Sequence, residues 1–380
     1  MITKNIKYED CISEDNRIDG LINASAHKGY RRDVRWAFMH VNKVIDKTLK
    51  QLEDDLYRFP INEPKFVSNR VLTKNRFIVR PDFVNFQVFQ HTIMNPVKED
   101  MLNSIYKFSC GSLPNRGALY GRLYIEKKIK NELKKKKTLY ALKFDIAKFF
   151  ENMPTQKVEE KLARRYRDKR LLLQFHKVLQ ANILYYEGEY TKVGLPIGYY
   201  TSQWLANWYL SDLDNFIKHK LRIKIYVRYM DDMLIISENK EELQNQLKQI
   251  IDFIHYMGLE IKSNYQVFKF VDFETDKPKT VRPIDFLGYK FYHDRVLLRK
   301  KILKAARRKA MHIYKKKRIT SHEAQSMLSY LGYFKHSDTQ YFFDQYIKPF
   351  VNVGALKKVV SAHQKKLNNK IELPDFMEIP

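Results

Sequence analysis

The sequence predicts an α+β protein. Three observations carry this. Strand-like and helical patterns mix without a repeating strand–helix–strand unit. Two short apolar β-prone runs, "IKIYVRY" and "MLIIS", flank a three-residue turn. Apolar residues make up 44% of 380 positions, ample for a core. In chain order, residues 30–58 place apolar side chains at helical spacing with no Gly or Pro, predicting one long amphipathic helix or two. The stretch 71–97 begins strand-like, breaks at Pro81 and turns helical. Residues 131–153, "NELKKKKTLYALKFDIAKFFENM", join a lysine run to a buried strand. Residues 156–184 and 204–221 read as helices, as does the stretch from Lys240 to Met257. "DFLGYKFYHDRVLLRK" reads as a hairpin, and from Lys300 onward the chain is helical and basic. No internal repeat or low-complexity linker interrupts this order.

The formal net charge is +27, and 14% of residues are aromatic. A charge this positive calls for a polyanionic partner, and nucleic acid rewards both lysine and aromatic rings. A membrane is disfavoured: no apolar run approaches the ~20 residues of a span, and the basic residues are spread along the whole chain. Cys11 and Cys110 are the two cysteines, too few for a zinc site or a disulfide framework. The first residues, "MITKNIKYEDCISEDNR", lack the apolar core of a secretory signal, so the expected setting is reducing and cytoplasmic. A lysine run is commonly a solvated face; its place just before the Asp145 strand gives this one a claim as a nucleic-acid contact.

The chemistry concentrates in three carboxylates. Asp231 and Asp232 sit side by side between apolar strands in "YVRYMDDMLIIS". Like charges at a strand turn repel unless a cation neutralises them. Asp145 stands alone in the apolar run "LYALKFDIAKFF". Singly, Asp145 reads equally as a helix N-cap and the pair as a polar hairpin turn. Together the three fit two Mg²⁺ ions (or Mn²⁺) held by neighbouring strands for in-line phosphoryl displacement.

"FDIAKFF", "LPIGYYTSQ", "RYMDD", "GLEIKSN" and "DFLGYKFY" occur in the order and rough spacing of the conserved blocks of reverse transcriptases, and over roughly residues 70–300 the chain resembles that family. The resemblance implies a right-hand polymerase fold of fingers, palm with an antiparallel sheet, and helical thumb. The corresponding divisions are an N-terminal helical extension at 1–60, fingers at 61–140, a palm at 141–290 with a helical insertion at 156–190, and a basic thumb at 291–380. It also implies RNA-directed DNA synthesis from dNTPs on an RNA template, a DNA or RNA primer and an RNA–DNA hybrid.

Carried over by motif, Asp145 and Asp231 match the aspartates that bridge both metals, and Asp232 the third, less directly ligating carboxylate. Phe150 matches an aromatic steric gate that selects deoxynucleotides, with Phe149 as the core aromatic beside it. The backbone at Lys148 and Phe149 would meet the triphosphate. "KNR" resembles the fingers box in which Arg76 clamps the triphosphate and Ile78 packs on the templating base. "FLGYKF" resembles the primer grip, formed here by Phe286, Leu287, Gly288 and Tyr289. The loop around Arg116 and Gly117 departs from the family form and receives no role. From Arg295 to Arg318 twelve Lys or Arg occur against no acid, which suits a thumb on a hybrid.

Two departures matter. Ile197 stands before Gly198 where most relatives have Gln, and Ser202-Gln203 replaces Ser-Pro. An aliphatic side chain cannot donate the glutamine's hydrogen bonds, so base discrimination should suffer. This form is similar to reverse transcriptases of diversity-generating retroelements, which copy adenines carelessly. Ile197 also reads as a neutral variant among enzymes of retron, group II intron or phage-defence type; a phage-defence or retron-like enzyme would act with a dedicated non-coding RNA, and some phage-defence relatives work without template or with protein priming. A third reading is an RNA-binding protein with a decayed polymerase fold; three intact aspartates argue against it. In "GLEIKSNYQ", Tyr265 occupies the usual position of a lysine that protonates pyrophosphate, and Lys262, three residues earlier, either replaces it or faces solvent. No ribonuclease H, integrase or endonuclease segment is legible. A small accessory protein or a structured non-coding RNA is therefore the expected partner.

Overall fold

The computed structural model describes residues 5–60, 64–69, 74–186, 189–192, 194–273 and 277–368; the side chains at 64–69, 74–77, 183–186, 189–192 and 367–368 lie outside this description. Four helices lead the chain: α1 (Tyr8–Ile12), α2 (Glu14–Ser25), α3 (Arg32–Met39) and α4 (Val41–Glu53). The amphipathic stretch at 30–58 is thus two helices, parted where His40 leaves helical geometry at φ −135°. A hairpin of β1 (Pro64–Asn69) and β2 (Lys74–Val79) follows. After Pro81 one π-type turn over Phe83–Gln87 leads into α5 (Val88–Met94), α6 (Lys98–Ser104) and α7 (Ala118–Leu133).

The central sheet begins with β3 (Leu139–Asp145). Helices α8 (Thr155–Arg165) and α9 (Lys169–Gln180) come next; α9 starts where the Asp168 carboxylate accepts the Leu171 N–H at 2.9 Å. A small hairpin of β4 (Ile183–Tyr186) and β5 (Glu189–Lys192) leads to α10 (Tyr200–Tyr209) and α11 (Ser211–Asn215). Then come β6 (Ile225–Tyr229), β7 (Asp232–Ser237), α12 (Lys240–Tyr256), β8 (Gln266–Asp272) and β9 (Lys279–Thr280). The five strands order as β6-β7-β3-β8-β9, all antiparallel. The expected hairpin after Arg282 is a three-stranded meander of β10 (Ile284–Phe286), β11 (Tyr289–Phe291) and β12 (Val296–Leu298). The basic tail folds as α13 (Lys300–Tyr314), α14 (Ser321–Lys335), α15 (Gln340–Tyr346) and α16 (Val353–Asn368). A capping box between Thr320 and Glu323 starts α14.

Alternation along the central strands serves two cores. Leu142, Phe144, Tyr226, Met233 and Ile235 join the core shared with α5, α9, α10 and α12. Leu139, Ala141, Val227, Leu234 and Ile236 join the core shared with the meander and α13–α16. A third, smaller core gathers Leu21, Val34, Ala37 and Val44 of the N-terminal helices against Phe83 and Val88. Cys11 and Cys110 are buried and free. Among the described residues no helix is long and apolar enough to cross a membrane.

The lysine run lies away from the carboxylates. Lys135 pairs with Glu132 at 2.5 Å and Glu238 at 3.2 Å, and Lys137 with Glu238 at 2.6 Å. These pairs lie at the Leu139 end of β3, opposite from Asp145, so Lys135 and Lys137 satisfy acidic neighbours at the far end of the central strand.

One buried group links this fold to pH. His91 on α5 is 5% exposed and stacks on Tyr200 with centroids 3.6 Å apart. Burial, helped by the charges of Lys28 and Lys98, pushes its imidazole down to about 2. The unfolded chain takes up a proton below about pH 6.5 that folded His91 refuses. Stability is therefore lost as pH falls below that value, by at most about 1.4 kcal/mol per unit. Thermal melts of wild type and His91→Phe at pH 7 and pH 5 check this: the variant should lose less on acidification, and equal losses would remove His91 as the cause.

Candidate polymerase active site

The carboxylates are assembled by strand register. In the β3–β7 ladder Asp145 stands directly opposite Asp232. Both share the parity of Ala141 and Leu234, so both face the meander. Asp231 lies in the two-residue turn between β6 and β7, after Met230 at φ +55°. Its backbone carbonyl accepts the Ile146 N–H at 3.3 Å, which draws the turn onto the end of β3. On the other side, "GLEIK" closes on the same segment: the Lys262 N–H donates to Asp145 O at 2.8 Å, and the Ala147 N–H to Glu260 O at 2.7 Å. Two stretches distant in sequence, the Asp231 turn and "GLEIK", thus converge on the end of β3 at Asp145.

Electrostatics follow from this crowding. Burial, and then the neighbouring Asp145 carboxylate, raise Asp231 above the usual range. Burial pushes Asp232 up to about 6 against the opposing pull of Lys143. Lys262 Nζ is 2.5 Å from Asp145 Oδ1. Lys143, two residues before Asp145 on the same strand face, has its ammonium 3.7 Å from Asp232 Oδ1 and donates to Asp285 O at 3.0 Å. Asp285 in turn pairs with Arg299 at the entry to α13.

The donor set fits a hard divalent cation. Asp232 Oδ1 is a buried oxygen with no hydrogen-bond donor. The three carboxylates offer oxygens alone, as Mg²⁺ and Mn²⁺ prefer. Among the described residues no three His, Cys, Asp or Glu side chains enclose a metal by themselves. Mg²⁺ takes one or two carboxylates and completes its shell with water and substrate phosphates. The site therefore suits a substrate-bridging ion rather than an all-protein cage.

The remaining expected positions divide into those gathered here and those turned away. Lys148 is exposed at φ +42° in the bend after Asp145. Phe149 is buried in the first core, and Phe150 is half-buried against it, ring centroids 5.3 Å apart. The Phe150 carbonyl accepts the Leu195 N–H at 2.7 Å, which ties the "LPIG" loop to this bend. In that loop the Ile197 carbonyl accepts the Val79 N–H at 2.8 Å. Gly198, at φ +118°, lies so close that an added Cβ would stand 1.9 Å from Val79 O. Half-buried Ile78 is thereby set beside Ile197 and Gly198. Arg76 belongs to β2, opposite Val67, and its side chain lies outside the described residues.

In the meander, Phe286 and Tyr289 point inward and are buried. Only the turn at Leu287 (φ +54°) and Gly288 (φ +89°) is left to approach a ligand. It borders a cavity of about 480 Å³ lined by Tyr229, Asp232, Leu287, Arg299, Ile302 and Tyr333. Sequence reasoning missed Lys143 and Arg299; basic residues are so common in this chain that only register singles them out.

A hairpin turn bearing two aspartates, laid beside a third on the central strand of an antiparallel sheet, defines a polymerase palm. The model of the reverse transcriptase (RNA-dependent DNA polymerase) family matches residues 26–291. The chain belongs to this family, whose members are RNA-directed DNA polymerases and hence nucleotidyltransferases. Among solved structures it is similar to telomerase from Candida albicans in complex with a TWJ fragment of telomeric RNA: 12% identity, TM-score 0.48, covering 87% of this chain and 62% of that one. Telomerase from Candida tropicalis with the same kind of RNA fragment gives 15% identity and TM-score 0.49, covering 85% and 56%. Apo telomerase from Candida tropicalis, truncated from its C-terminal domain, gives 16% and 0.46, covering 64% and 56%. The chain thus spans 56–62% of the length of these telomerase chains. No curated protein matches it.

Proposed function

We propose that this protein copies an RNA template into complementary DNA from dNTPs, as the cytoplasmic, low-fidelity polymerase of a diversity-generating retroelement. The observation that carries the polymerase reading is the register that sets Asp145 against Asp232 with Asp231 in the adjoining turn. In this reading Asp145 and Asp231 hold two divalent ions, and Asp232 is the accessory carboxylate. Bound there, such ions would supply charge neutralisation at the phosphoryl group and activation of the primer hydroxyl.

The chain's own groups do the rest. The Lys148–Phe149 backbone and Arg76 hold the triphosphate, Phe150 lies under the sugar and rejects a 2′-hydroxyl, and Ile78 packs on the templating base. Lys262, which pairs with Asp145 in the free protein, gives a proton to the departing pyrophosphate in this reading. The Leu287–Gly288 turn supports the primer end, and the basic helix α13 tracks the RNA–DNA hybrid. A small accessory protein or a structured RNA completes the assembly.

Ile197 supports the mutagenic role. Its backbone is tied to β2 while its aliphatic side chain has no group to read a base edge. Ile197→Gln should lower the misincorporation frequency several-fold, with the largest change opposite adenine. Sequencing the products of both enzymes from one heteropolymeric RNA template tests this; identical error spectra would remove the support for mutagenesis. The same primer extension, with Mg²⁺ and all four dNTPs, tests the polymerase reading. Templated DNA supports it, and product unrelated to the template moves the assignment to an untemplated enzyme.

A further inference from the structure

The arginine of "RYMDD" has no part in the reaction so far, and its surroundings show what it does. Arg228 alternates inward on β6 and is 0% exposed. A buried guanidinium must satisfy five N–H groups, and all five are satisfied here. Nε donates to Asp214 Oδ1 at 2.9 Å and Nη2 to Asp214 Oδ2 at 2.6 Å, a two-pronged pair. Nη1 donates to Asn207 Oδ1 at 3.0 Å, and Nη2 also to Asn207 O at 3.3 Å. The fifth N–H, again on Nη1, reaches the Met230 carbonyl at 3.2 Å, in the turn that carries Asp231.

The partners are held as tightly. Asp214 is 1% exposed and also accepts the Tyr226 hydroxyl at 2.7 Å. Asn207 Nδ2 donates to Gly111 O at 2.9 Å and lies 3.2 Å from Met230 Sδ. Gly111 presses on the turn from its other side: a Cβ there would stand 2.7 Å from Met230 Cγ and 2.8 Å from Met230 N. Met230 sits at φ +55°, a conformation that L side chains disfavour and that persists only where surroundings over-determine it. A buried ion pair is a poor source of stability, since well-packed apolar residues commonly replace one without loss. What this pair supplies is direction, because a bidentate fork fixes the guanidinium plane.

We propose that Arg228, with Asp214 and Asn207, is a buried clamp that sets the position of the Met230–Asp231 turn and so aims the Asp231 carboxylate. Arg228 is a positioning residue that acts through Asp231, and the inference rests on the proposed metal-binding role of that aspartate. Supporting groups of this kind are worth roughly 10–100-fold in metal affinity or activity.

The test removes both charges at once in similar volume, with Arg228→Met and Asp214→Leu combined in the full chain. The expected result is a wild-type melting curve and RNA affinity, kcat lower by roughly 10–100-fold, a higher Mg²⁺ concentration for half-maximal rate, and an unchanged primer KM. Mn²⁺ binding by electron paramagnetic resonance should weaken in parallel without any turnover. Wild-type kcat and Mn²⁺ affinity in the double variant would overturn the clamp, as would a rate loss that only follows the folded fraction. If the double variant does not fold, Gly111→Ala decides: it leaves the ion pair intact and pushes the turn from the opposite side. The same loss of Mn²⁺ affinity supports the clamp, and wild-type affinity and rate overturn it. Asp231→Asn run alongside separates the two ideas, since an active Asp231→Asn protein overturns the site reading itself, whereas an inactive one beside a wild-type-like double variant overturns the clamp alone.

Discussion

Asp231→Asn should reduce DNA synthesis by roughly 10³-fold or more, the rate equivalent of the several kcal/mol that charge stabilisation at a metal site contributes. RNA affinity should stay within about twofold, because phosphate contacts to a chain of net charge +27 would not depend on one carboxylate. The substitution keeps shape and removes one charge. Asp231 is crowded by Asp145, and burial already holds its carboxyl above the ordinary range. Replacing it by a neutral amide therefore relieves repulsion, so in chelator the melting temperature should hold or rise. A variant inactivated by misfolding would melt lower, and the two measurements together distinguish loss of chemistry from loss of structure. Wild-type-like incorporation by Asp231→Asn would sink the two-metal assignment.

Gly198→Ala should be the second severe change. The position combines φ +118° with a carbonyl oxygen 1.9 Å from where a Cβ would sit. Neither can be relieved by rotating a side chain, since the opposing atom is backbone. The "LPIG" loop must retreat from β2, which breaks the Val79–Ile197 hydrogen bond and shifts Ile78. Misplacement by about 1 Å can cost about 10²-fold in rate, so kcat/KM for dNTPs should fall by that order. Single-turnover titration with each dNTP measures it. Unchanged nucleotide affinity and rate would show that the contact between β2 and the loop lies outside the nucleotide path.

These two residues also show what a sequence makes legible. Asp145, Asp231 and Asp232 are visible because an acid in an apolar β-prone run is expensive without a partner, and the three share one chemistry. The helices are visible by period, and the break after Pro81 by proline chemistry. The geometry around them is not visible. Arg228 meets Asp214 and Asn207 from positions 14 and 21 residues away, pairings that exist only once β6 lies on α10 and α11. Phe286 and Tyr289 resemble ligand contacts in sequence, yet strand alternation buries them. The lysine run adjoins the Asp145 strand in sequence, yet the strand's direction puts Asp145 at the other end. Local pattern assigns the elements, and register decides which end and face meet the substrate.

The two cores on either face of the central sheet have a further consequence. Along β7, Met233 and Ile235 belong to one core, and Leu234 and Ile236 to the other. A slip of one residue would exchange every side chain between them, exposing a mismatch in both lobes at once. The same slip would carry Asp232 away from Asp145. Fidelity of assembly at the reacting centre is thus guarded by hydrophobic side chains that never approach it: a chain folded out of step is rejected twice before its chemistry is tried.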